Sequence, residues 1–389
     1  MKVLSIGMDR KLFEEKSPVL ERSLGYSSKM EELHIIVFSL KKHKLSPKKI
    51  NNLFLYPTNS STRVGFLWDA YQMGRKVIID NKFVRGDSVI SAQDPMGIVG
   101  YVLAKRFRLP LQLQIHTDIF NPYFRNSLTT WKNFWYSGWV NVLLAKFLIP
   151  RAQGLRVVSE TIAQSFRERF PYMKARIDVL PVFVDVEKLL NNDYKIEKNI
   201  KSDFPQFLFT IFMASRLSKE KRIDVALFAL QKVVKDFPHT GLIIAGDGSE
   251  KRHLETLVRR LGLSNNVVFV GWKKDPSSYY RTANMFLLTS DYEGYGMTLV
   301  EAGASGCPIV TTNVGIAKTD VFKNGQNSYV CPVGDVEAVS SSIFDIISNP
   351  EKRELFKLQM RDSIKSIAIS KEEYTKKYVE ILENTIKNV

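Results

Sequence analysis

The sequence predicts an α/β protein built from two doubly wound parallel sheets, and three observations support this. Short apolar segments alternate with amphipathic helical segments along the chain. This alternation is interrupted at 190–205, where apolar periodicity is lost and charged residues, Asn and Pro accumulate. The length of 389 residues is also too great for one comfortable core. Because parallel strands need crossover connections that are mostly helical, each half is expected to be a sheet covered on both faces.

In the first half, strand-like segments are followed by helix-like ones. The strands are "KVLSIGM", "EELHIIVFSL", the segment ending before Asp94, "PLQLQIHTD" and "GLRVVSE". The helices are "MGIVGYVLAKRFRL", "LLAKFLIPRAQ" and "TIAQSFRERF", the last with Ser159 or Thr161 near its start. Residues 1–188 are therefore predicted to form the N-terminal domain.

The second half repeats this alternation. Its strands are "FLFTIFMAS", "TGLIIAGDG", "NVVFVGW", "NMFLLTS" and "CPIVTTNVG". Its helices are "RIDVALFALQKVVKDF", "EKRHLETLVRRLG", "PSSYYRTA" and a segment from Met297 to Ser305. We predict a C-terminal domain at 205–370 and a last helix within 371–389.

Composition excludes several classes of protein. No run of roughly 18 uncharged apolar residues is present, and the apolar run at the start is too short for a secretory signal, so the protein is expected to stay in the cytoplasm. The two cysteines, Cys307 and Cys331, are not in a CxxC spacing, which argues against a disulfide framework. Five scattered histidines without an HxxxH pair argue against a metal site built by side chains alone.

Charge is distributed unevenly along the chain. Residues 1–200 carry 31 Lys and Arg against 18 Asp and Glu, a net charge of +13, whereas residues 201–389 carry a net charge of +3. A basic half suits a nucleic acid, an anionic membrane or a phosphorylated substrate, and ordinary solubility accounts for it equally well.

The segment "SDYEGYGMTLVEAGASGCPIV" combines two acids with a glycine-rich loop at a strand end. Gly294 and Gly296 allow the backbone to approach a ligand, and the following helix begins with free amides and the positive end of its dipole. Glu293 in the loop and Glu301 in the helix can accept hydrogen bonds from hydroxyl groups. This pattern favours a polyhydroxylated ligand with an anionic middle.

A second element, "ASRLSKEKRID", follows the first strand of the same half. It places Arg216 and Lys221 over the carboxyl edge of the sheet, where ligands of open parallel sheets bind. Such cations neutralise phosphate, although ordinary solvated surface charge explains either residue taken alone.

Together these residues resemble the family 4 retaining glycosyltransferases, whose GT-B fold has two Rossmann-like domains facing across a cleft. "EGYGMTLVE" resembles the family's E-x7-E element, "ASRLSKEKR" its "GRL…EKG" element, "IIAGDG" its "IvGdG" strand end and "CPVGDVEAV" its "PPGD" segment. The four elements occur in the family's order, and the resemblance runs over nearly the whole of residues 206–340.

The resemblance implies a metal-independent hexosyltransferase without a cofactor, whose donor substrate is a nucleotide-diphosphate sugar. It implies that Arg216 and Lys221 bind the diphosphate, that Glu301 holds the ribose hydroxyls, and that Glu293 contacts the donor sugar as a catalytic residue. The remaining donor-binding candidates share a place in the glycine-containing loops. They are Gly294, Tyr295, Gly296, Met297, Thr298 and Gly246.

In the first half the resemblance is looser. "LQLQIHTDIF" resembles the strand whose terminal His contacts the donor sugar, so His116 is a second catalytic candidate, with a satisfied or merely exposed His as the alternative. Asp94 and Ser159 are acceptor-side candidates by their place in family-like segments, and Asp94 has helix capping as its alternative. Two departures concern the first loop, which keeps only Gly7, and the family's "PNGVD", which is here "PVFVD" (181–185).

The acceptor is expected to be a glycan or a lipid-linked molecule. An aromatic segment within residues 131–149 places Trp131, Phe134, Trp135, Tyr136 and Trp139 beside Lys132 and Lys146. Aromatic rings beside cations suit peripheral contact with an anionic membrane at its inner face, and a buried helix is the rival interpretation. The basic run "KKHKLSPKK" (41–49) adds to such an attraction or is a solvated loop.

Other function classes fit less well. Nucleic acid is not expected as a partner, because the cations do not cluster on a recognition element. A dinucleotide-dependent oxidoreductase lacks its G-x-G-x-x-G fingerprint in either half. A non-catalytic partner protein on a Rossmann-like scaffold is disfavoured, because Glu293, Glu301, Arg216 and Lys221 are all present.

Overall fold

The computed structural model describes residues 1–93, 97–123, 138–191, 196 and 198–388. The chain divides into two compact units, Met1–Pro181 with Lys371–Val389 (unit 1) and Val182–Ser370 (unit 2). The boundary differs from the one expected at 188, and the described part of 190–205 belongs to unit 2. The reason is packing, since Val186, Leu189 and Ile200 are buried in the apolar core of unit 2.

Unit 1 contains an eight-stranded sheet in the order β3-β4-β2-β1-β5-β6-β7-β8. All neighbouring strands are parallel except β3 and β4, which are antiparallel. The strands are β1 (Lys2–Gly7), β2 (Glu32–Val37), β3 (Lys48–Ile50), β4 (Leu53–Pro57), β5 (Ser88–Gln93), β6 (Leu111–Ile115), β7 (Gly154–Val157) and β8 (Arg176–Val179). Central strands are buried on both faces, as a covered parallel sheet requires.

Helices connect these strands and cover the sheet of unit 1. They are α1 (Pro18–Ser27), α2 (Gly65–Asp80), α3 (Gly97–Phe107), α4 (Gly138–Leu148) and α5 (Glu160–Arg169). A further helix, α14 (Lys371–Lys387), returns from the end of the chain to this unit. Its Tyr378 hydroxyl accepts a hydrogen bond from Gln114 at 2.7 Å and its ring stacks on Tyr26 at 4.1 Å, while Tyr374 accepts one from Arg156 at 2.8 Å.

Unit 2 contains a six-stranded parallel sheet in the order β11-β10-β9-β12-β13-β14. Its strands are β9 (Phe209–Ala214), β10 (Thr240–Ala245), β11 (Val267–Gly271), β12 (Met285–Leu288), β13 (Ile309–Thr312) and β14 (Tyr329–Cys331). Successive strands run outward from β9 in one direction and from β12 in the other. The order of the chain therefore reverses between β9 and β12.

Helices pack on both faces of this sheet over two apolar clusters. They are α6 (Val186–Leu190), α7 (Ile200–Asp203), α8 (Ile223–Val233), α9 (Lys251–Arg260), α10 (Ser277–Thr282), α11 (Met297–Ala304), α12 (Val336–Ser348) and α13 (Pro350–Ser366). Cys307 and Cys331 are buried and not disulfide-bonded. Across the part of the chain that the structure describes, no helix combines the length and apolar character that a membrane crossing requires.

Candidate functional site

The candidate site lies where the strand order of unit 2 reverses. Open parallel sheets bind ligands beyond the carboxyl ends of the strands at such a switch point, because the connections that follow the two central strands continue in opposite directions and leave a crevice at the sheet edge. Here the loop after β9 (215–222, the Arg216 loop) meets the loop after β12 (289–296, the Glu293 loop). The sheet topology thus brings together the two sequence elements that carried the prediction.

The central contact of the site joins these two loops. Lys221 Nζ lies 2.7 Å from Glu293 Oε1, and the two side chains are only 12% and 14% exposed. Ser290 Oγ donates a second hydrogen bond to the same carboxylate oxygen at 2.8 Å. A cation and an acid are therefore held together in a partly desolvated place, where charge interactions are stronger than in bulk water.

Arg222 makes a second link between the same loops. Its guanidinium donates to Asp224 at 3.1 Å and to Asp291 Oδ1 at 3.0 Å. The hydrogen bonds to Asp224 raise the pKa of Arg222 above its usual range. Burial raises the pKa of Asp291, and the charge of Arg222 opposes that rise. The guanidinium thus connects Asp291, two positions before Glu293, to the beginning of α8.

The backbone at Arg222 has a conformation that favours the glycine of the family element. Arg222 has a φ of 44°, a left-handed conformation that glycine adopts without steric cost. It occupies the place of the final glycine in "GRL…EKG". Thr289 Oγ1 donates to the Arg222 carbonyl at 2.8 Å, which helps to hold this conformation. Arg222, Asp224 and Asp291 were not among the predicted site residues, and the signal in the sequence was the missing glycine at position 222.

Arg216, the other predicted phosphate ligand, differs from Lys221 in exposure. Its side chain is 79% exposed, and Nη2 lies 3.4 Å from Glu220 Oε1. Arg216 can therefore reorient toward a ligand, whereas Lys221 is already fixed by its partner.

Gly246 fixes the position of the Arg216 loop through backbone packing. A Cβ at Gly246 would lie 1.8 Å from the carbonyl oxygen of Ser215, and one at Gly248 would lie 2.3 Å from that of Leu217. The Leu217 amide in turn donates to the Asp247 carbonyl at 3.0 Å. The glycines of "GDG" thus let the loops after β9 and β10 run side by side.

The segment that follows β13 supports the Glu293 loop just before α11 begins. Gly296 has a φ of 95° and directly precedes Met297. Ile316 donates its amide to the Tyr295 carbonyl at 2.7 Å, and a Cβ at Gly315 would lie only 2.4 Å from that oxygen. Among the described residues no side chain caps α11, so the amides of its first turn, at Met297 and Thr298, suit an anion.

Glu301 lies within α11 and is held by a buried tyrosine. The Tyr280 hydroxyl donates to Glu301 Oε2 at 2.9 Å. Burial raises the pKa of Glu301 to about 7, although the hydrogen bond from Tyr280 partly opposes this. Tyr280 could not be predicted from the sequence, because its hydroxyl reaches Glu301 only through the packing of α10 on α11.

Unit 1 contains the other predicted residues. His116 directly follows β6, and burial, with the positive charges of Arg156 and Arg22, lowers its pKa to about 4. Its imidazole is therefore neutral at pH 7, and its Nε2 is buried without a hydrogen-bond partner in the described part of the chain. Ser159 caps α5, since its Oγ accepts a hydrogen bond from the Ile162 amide.

Several residues that were predicted to be functional lie outside the part of the chain that the structure describes. Asp94 lies outside the described residues, directly after Gln93 at the end of β5. Residues 131–137 of the aromatic segment and the side chain of Trp139 also lie outside them, so membrane contact stays a prediction. Within the described ranges, no three His, Cys, Asp or Glu side chains come together in a group that could hold a metal ion.

Comparisons with known proteins agree with the sequence elements. The family model "Glycosyl transferases group 1" matches residues 195–362, and "Glycosyltransferase Family 4" matches residues 30–188. An uncharacterized glycosyltransferase of Methanocaldococcus jannaschii is 26% identical over 209 residues, which are 53% of this chain and 49% of that protein. The poly(glycerol-phosphate) alpha-glucosyltransferase of Bacillus subtilis is 28% identical over 155 residues, 40% of this chain. The chain spans only 49% and 23% of the length of these two relatives.

A solved structure shows the fold over nearly the whole chain. Anabaena HepE in complex with UDP superposes with a TM-score of 0.73 at 18% identity, covering 98% of this chain and 99% of that one. The two-domain GT-B fold predicted from the sequence is confirmed.

Proposed function

Because this chain belongs to the group 1 glycosyltransferases of family 4, we propose that it transfers a sugar from a nucleotide-diphosphate sugar to an acceptor hydroxyl. The anomeric configuration is retained, and no metal ion takes part. One observation carries the proposal: a cation and an acid, Lys221 and Glu293, meet at 2.7 Å at the switch point of unit 2.

The reaction needs positive charge beside the leaving group. As the bond between the anomeric carbon and the diphosphate oxygen breaks, negative charge accumulates on the departing nucleoside diphosphate. Lys221 is fixed at this place by Glu293, and the exposed Arg216 extends from the same loop. The amides of the first turn of α11 add donors whose dipoles already point the right way for an anion.

The acids bind the hydroxyl groups on either side of the diphosphate. Glu293 retains its second carboxylate oxygen for a donor-sugar hydroxyl, since Lys221 and Ser290 both bind Oε1. Glu301 accepts hydrogen bonds from the ribose hydroxyls in its ionised form. His116, at the end of β6, is a neutral imidazole that can exchange a hydrogen bond with a sugar hydroxyl.

The acceptor is proposed to be a glycan or a lipid-linked molecule. The Bacillus subtilis relative is named for a poly(glycerol-phosphate) acceptor, which supports an anionic polymeric acceptor as one form of this class. The net charge of +13 in residues 1–200 is compatible with such a molecule.

A thermal-shift panel of UDP, GDP and ADP and their sugars tests the proposal. One diphosphate should raise the melting temperature, because a ligand that binds only the folded state stabilises it. Lys221→Ala and Arg216→Ala should each remove most of the shift, whereas Arg252→Ala, an exposed cation on α9, should leave it intact. Absence of any shift, or equal shifts in all three variants, would refute the assigned phosphate site.

Product analysis tests the chemistry. With the stabilising donor and a library of acceptors, the anomeric coupling constant of the product by NMR should match that of the donor. Inversion would refute retention, and loss of activity in EDTA would refute metal independence.

A further inference from the structure

A cavity of about 710 Å³ lies in unit 1, at the edge of the sheet where its strands begin. Its walls come from segments that directly precede four neighbouring parallel strands, β5, β6, β7 and β8. Asn388, directly after α14, adds to the wall. We refer to it as the amino-edge cavity.

Five cations line the amino-edge cavity. They are Arg85, Lys105, Arg108, Arg151 and Lys174. None of the fourteen lining residues is acidic. Within the described residues, none of the five cations forms an ion pair with a carboxylate. Like charges gathered in a concavity repel one another, and an anionic ligand relieves that repulsion.

Contacts hold two of the side chains that line the amino-edge cavity, those of Arg151 and Asn388. Arg151 lies over the Phe147 ring at 4.1 Å and donates to the Phe147 carbonyl at 2.8 Å. Asn388 donates to the carbonyls of Gln153 at 2.8 Å and Lys174 at 3.2 Å, which ties the segments before β7 and β8 together. A cation that is held in this way, as Arg151 is, loses less conformational entropy when it binds a ligand.

Aromatic rings extend the lining. Tyr172 is 96% exposed, although it lies in the lining. Tyr101 packs edge-on against Phe147 at 5.2 Å, the ring that also supports Arg151. An exposed tyrosine among cations can stack on, or hydrogen-bond to, the organic part of a phosphorylated molecule.

The amino-edge cavity is separate from the carboxyl edge of the same sheet. Leu111, the first residue of β6, lines the cavity, and His116 follows the last residue of the same strand. Five residues of parallel strand span about 16 Å, so the amino-edge cavity and His116 lie at opposite ends of the strands of the unit 1 sheet.

We propose that the amino-edge cavity binds a soluble compound with two or more phosphate groups, at a site distinct from that of the sugar donor. The cluster of unpaired cations provides the charge, and the concave shape favours a compact molecule over a flat surface. Arg85, Arg108 and Arg151 offer planar forks that match phosphate oxygens in pairs. The site accounts for part of the excess positive charge of the first half of the chain.

Two matched triple variants of the full chain test this proposal. Arg85→Ser/Lys105→Ser/Lys174→Ser removes three cavity cations. Arg63→Ser/Lys41→Ser/Lys42→Ser removes the same charge from exposed positions elsewhere in unit 1. Inorganic tripolyphosphate is titrated by calorimetry against both, in a Lys221→Ala background that disables the proposed donor site. The cavity variant should bind about tenfold or more weakly than its parent, since it loses charge-assisted hydrogen bonds to phosphate oxygens. The control variant should stay within about twofold.

Further measurements separate the sources of phosphate and the two sites. With Lys221 intact, the cavity variant should keep the thermal shift of the nucleoside diphosphate, so the cavity proposal and the donor-site proposal can fail independently. Equal losses of tripolyphosphate affinity in the cavity and control variants would reduce the effect to net charge and overturn the proposal. The parent and both variants are also sedimented with phosphatidylglycerol vesicles. If tripolyphosphate does not bind and only the cavity variant fails to sediment with the vesicles, the ligand is a lipid headgroup and the proposal of a soluble ligand is overturned.

Discussion

Lys221→Ala tests whether the ion pair of the candidate site organises it. The substitution removes Nζ, which lies 2.7 Å from Glu293 Oε1, and leaves that carboxylate with Ser290 as its donor. Breaking a fully buried pair costs about 3–5 kcal/mol, because an uncompensated charge remains. Both side chains keep slight exposure, 12% and 14%, so we expect about 2–3 kcal/mol here.

A double-mutant cycle measures this coupling. Lys221→Ala, Glu293→Gln and the double variant are unfolded in urea at pH 7, and the interaction energy is taken from the three differences. The exposed pair Lys232–Glu337, with side chains 44% and 73% exposed, is the control and should give under about 1 kcal/mol. If the coupling of Lys221 with Glu293 is no larger than that of the control pair, the reasoning about a preorganised site is refuted.

Three further variants test other parts of the site. Burial raises the pKa of Glu301 to about 7 from an ordinary value near 4.5. In the pH window between these two values, the folded state keeps a proton on Glu301 that the unfolded chain has released. Stability should therefore fall by about 3 kcal/mol as pH rises through that window. Glu301→Gln should flatten this dependence in urea unfolding at pH 5 and 8, and an unchanged slope would contradict the assignment. Gly315→Ala should weaken diphosphate binding in the thermal-shift assay, since its Cβ would strike a carbonyl of the Glu293 loop at 2.4 Å. Gly325→Ala is the control, because it has a similar positive φ but open space, and equal effects of the two would remove the steric argument. Arg222→Ala should lower the free energy of unfolding by about 1–3 kcal/mol through loss of its charged hydrogen bonds to Asp224 and Asp291, and an unchanged urea midpoint would show that the link between the loops is dispensable.

The elements that carry the fold could be predicted because their signals are local. The alternation of "FLFTIFMAS", "TGLIIAGDG" and "NMFLLTS" with amphipathic helices specifies a covered parallel sheet without reference to distant residues. The boundary between the units was placed differently from the expectation at 188, because Val186 and Leu189 are buried by contacts with residues far along the chain. Such contacts leave no periodic signal in a segment of five residues.

The sequence by itself determined that two strand ends carry cations and acids, and that a glycine-rich turn precedes α11. Only the tertiary structure decided that Lys221 pairs with Glu293, 72 positions away, because this pairing depends on β9 lying beside β12. The same holds for the amino-edge cavity, whose cations are dispersed from Arg85 to Lys174 and converge through the order of four parallel strands. Local propensity specifies the elements, whereas strand order, set by long-range packing, determines which side chains meet.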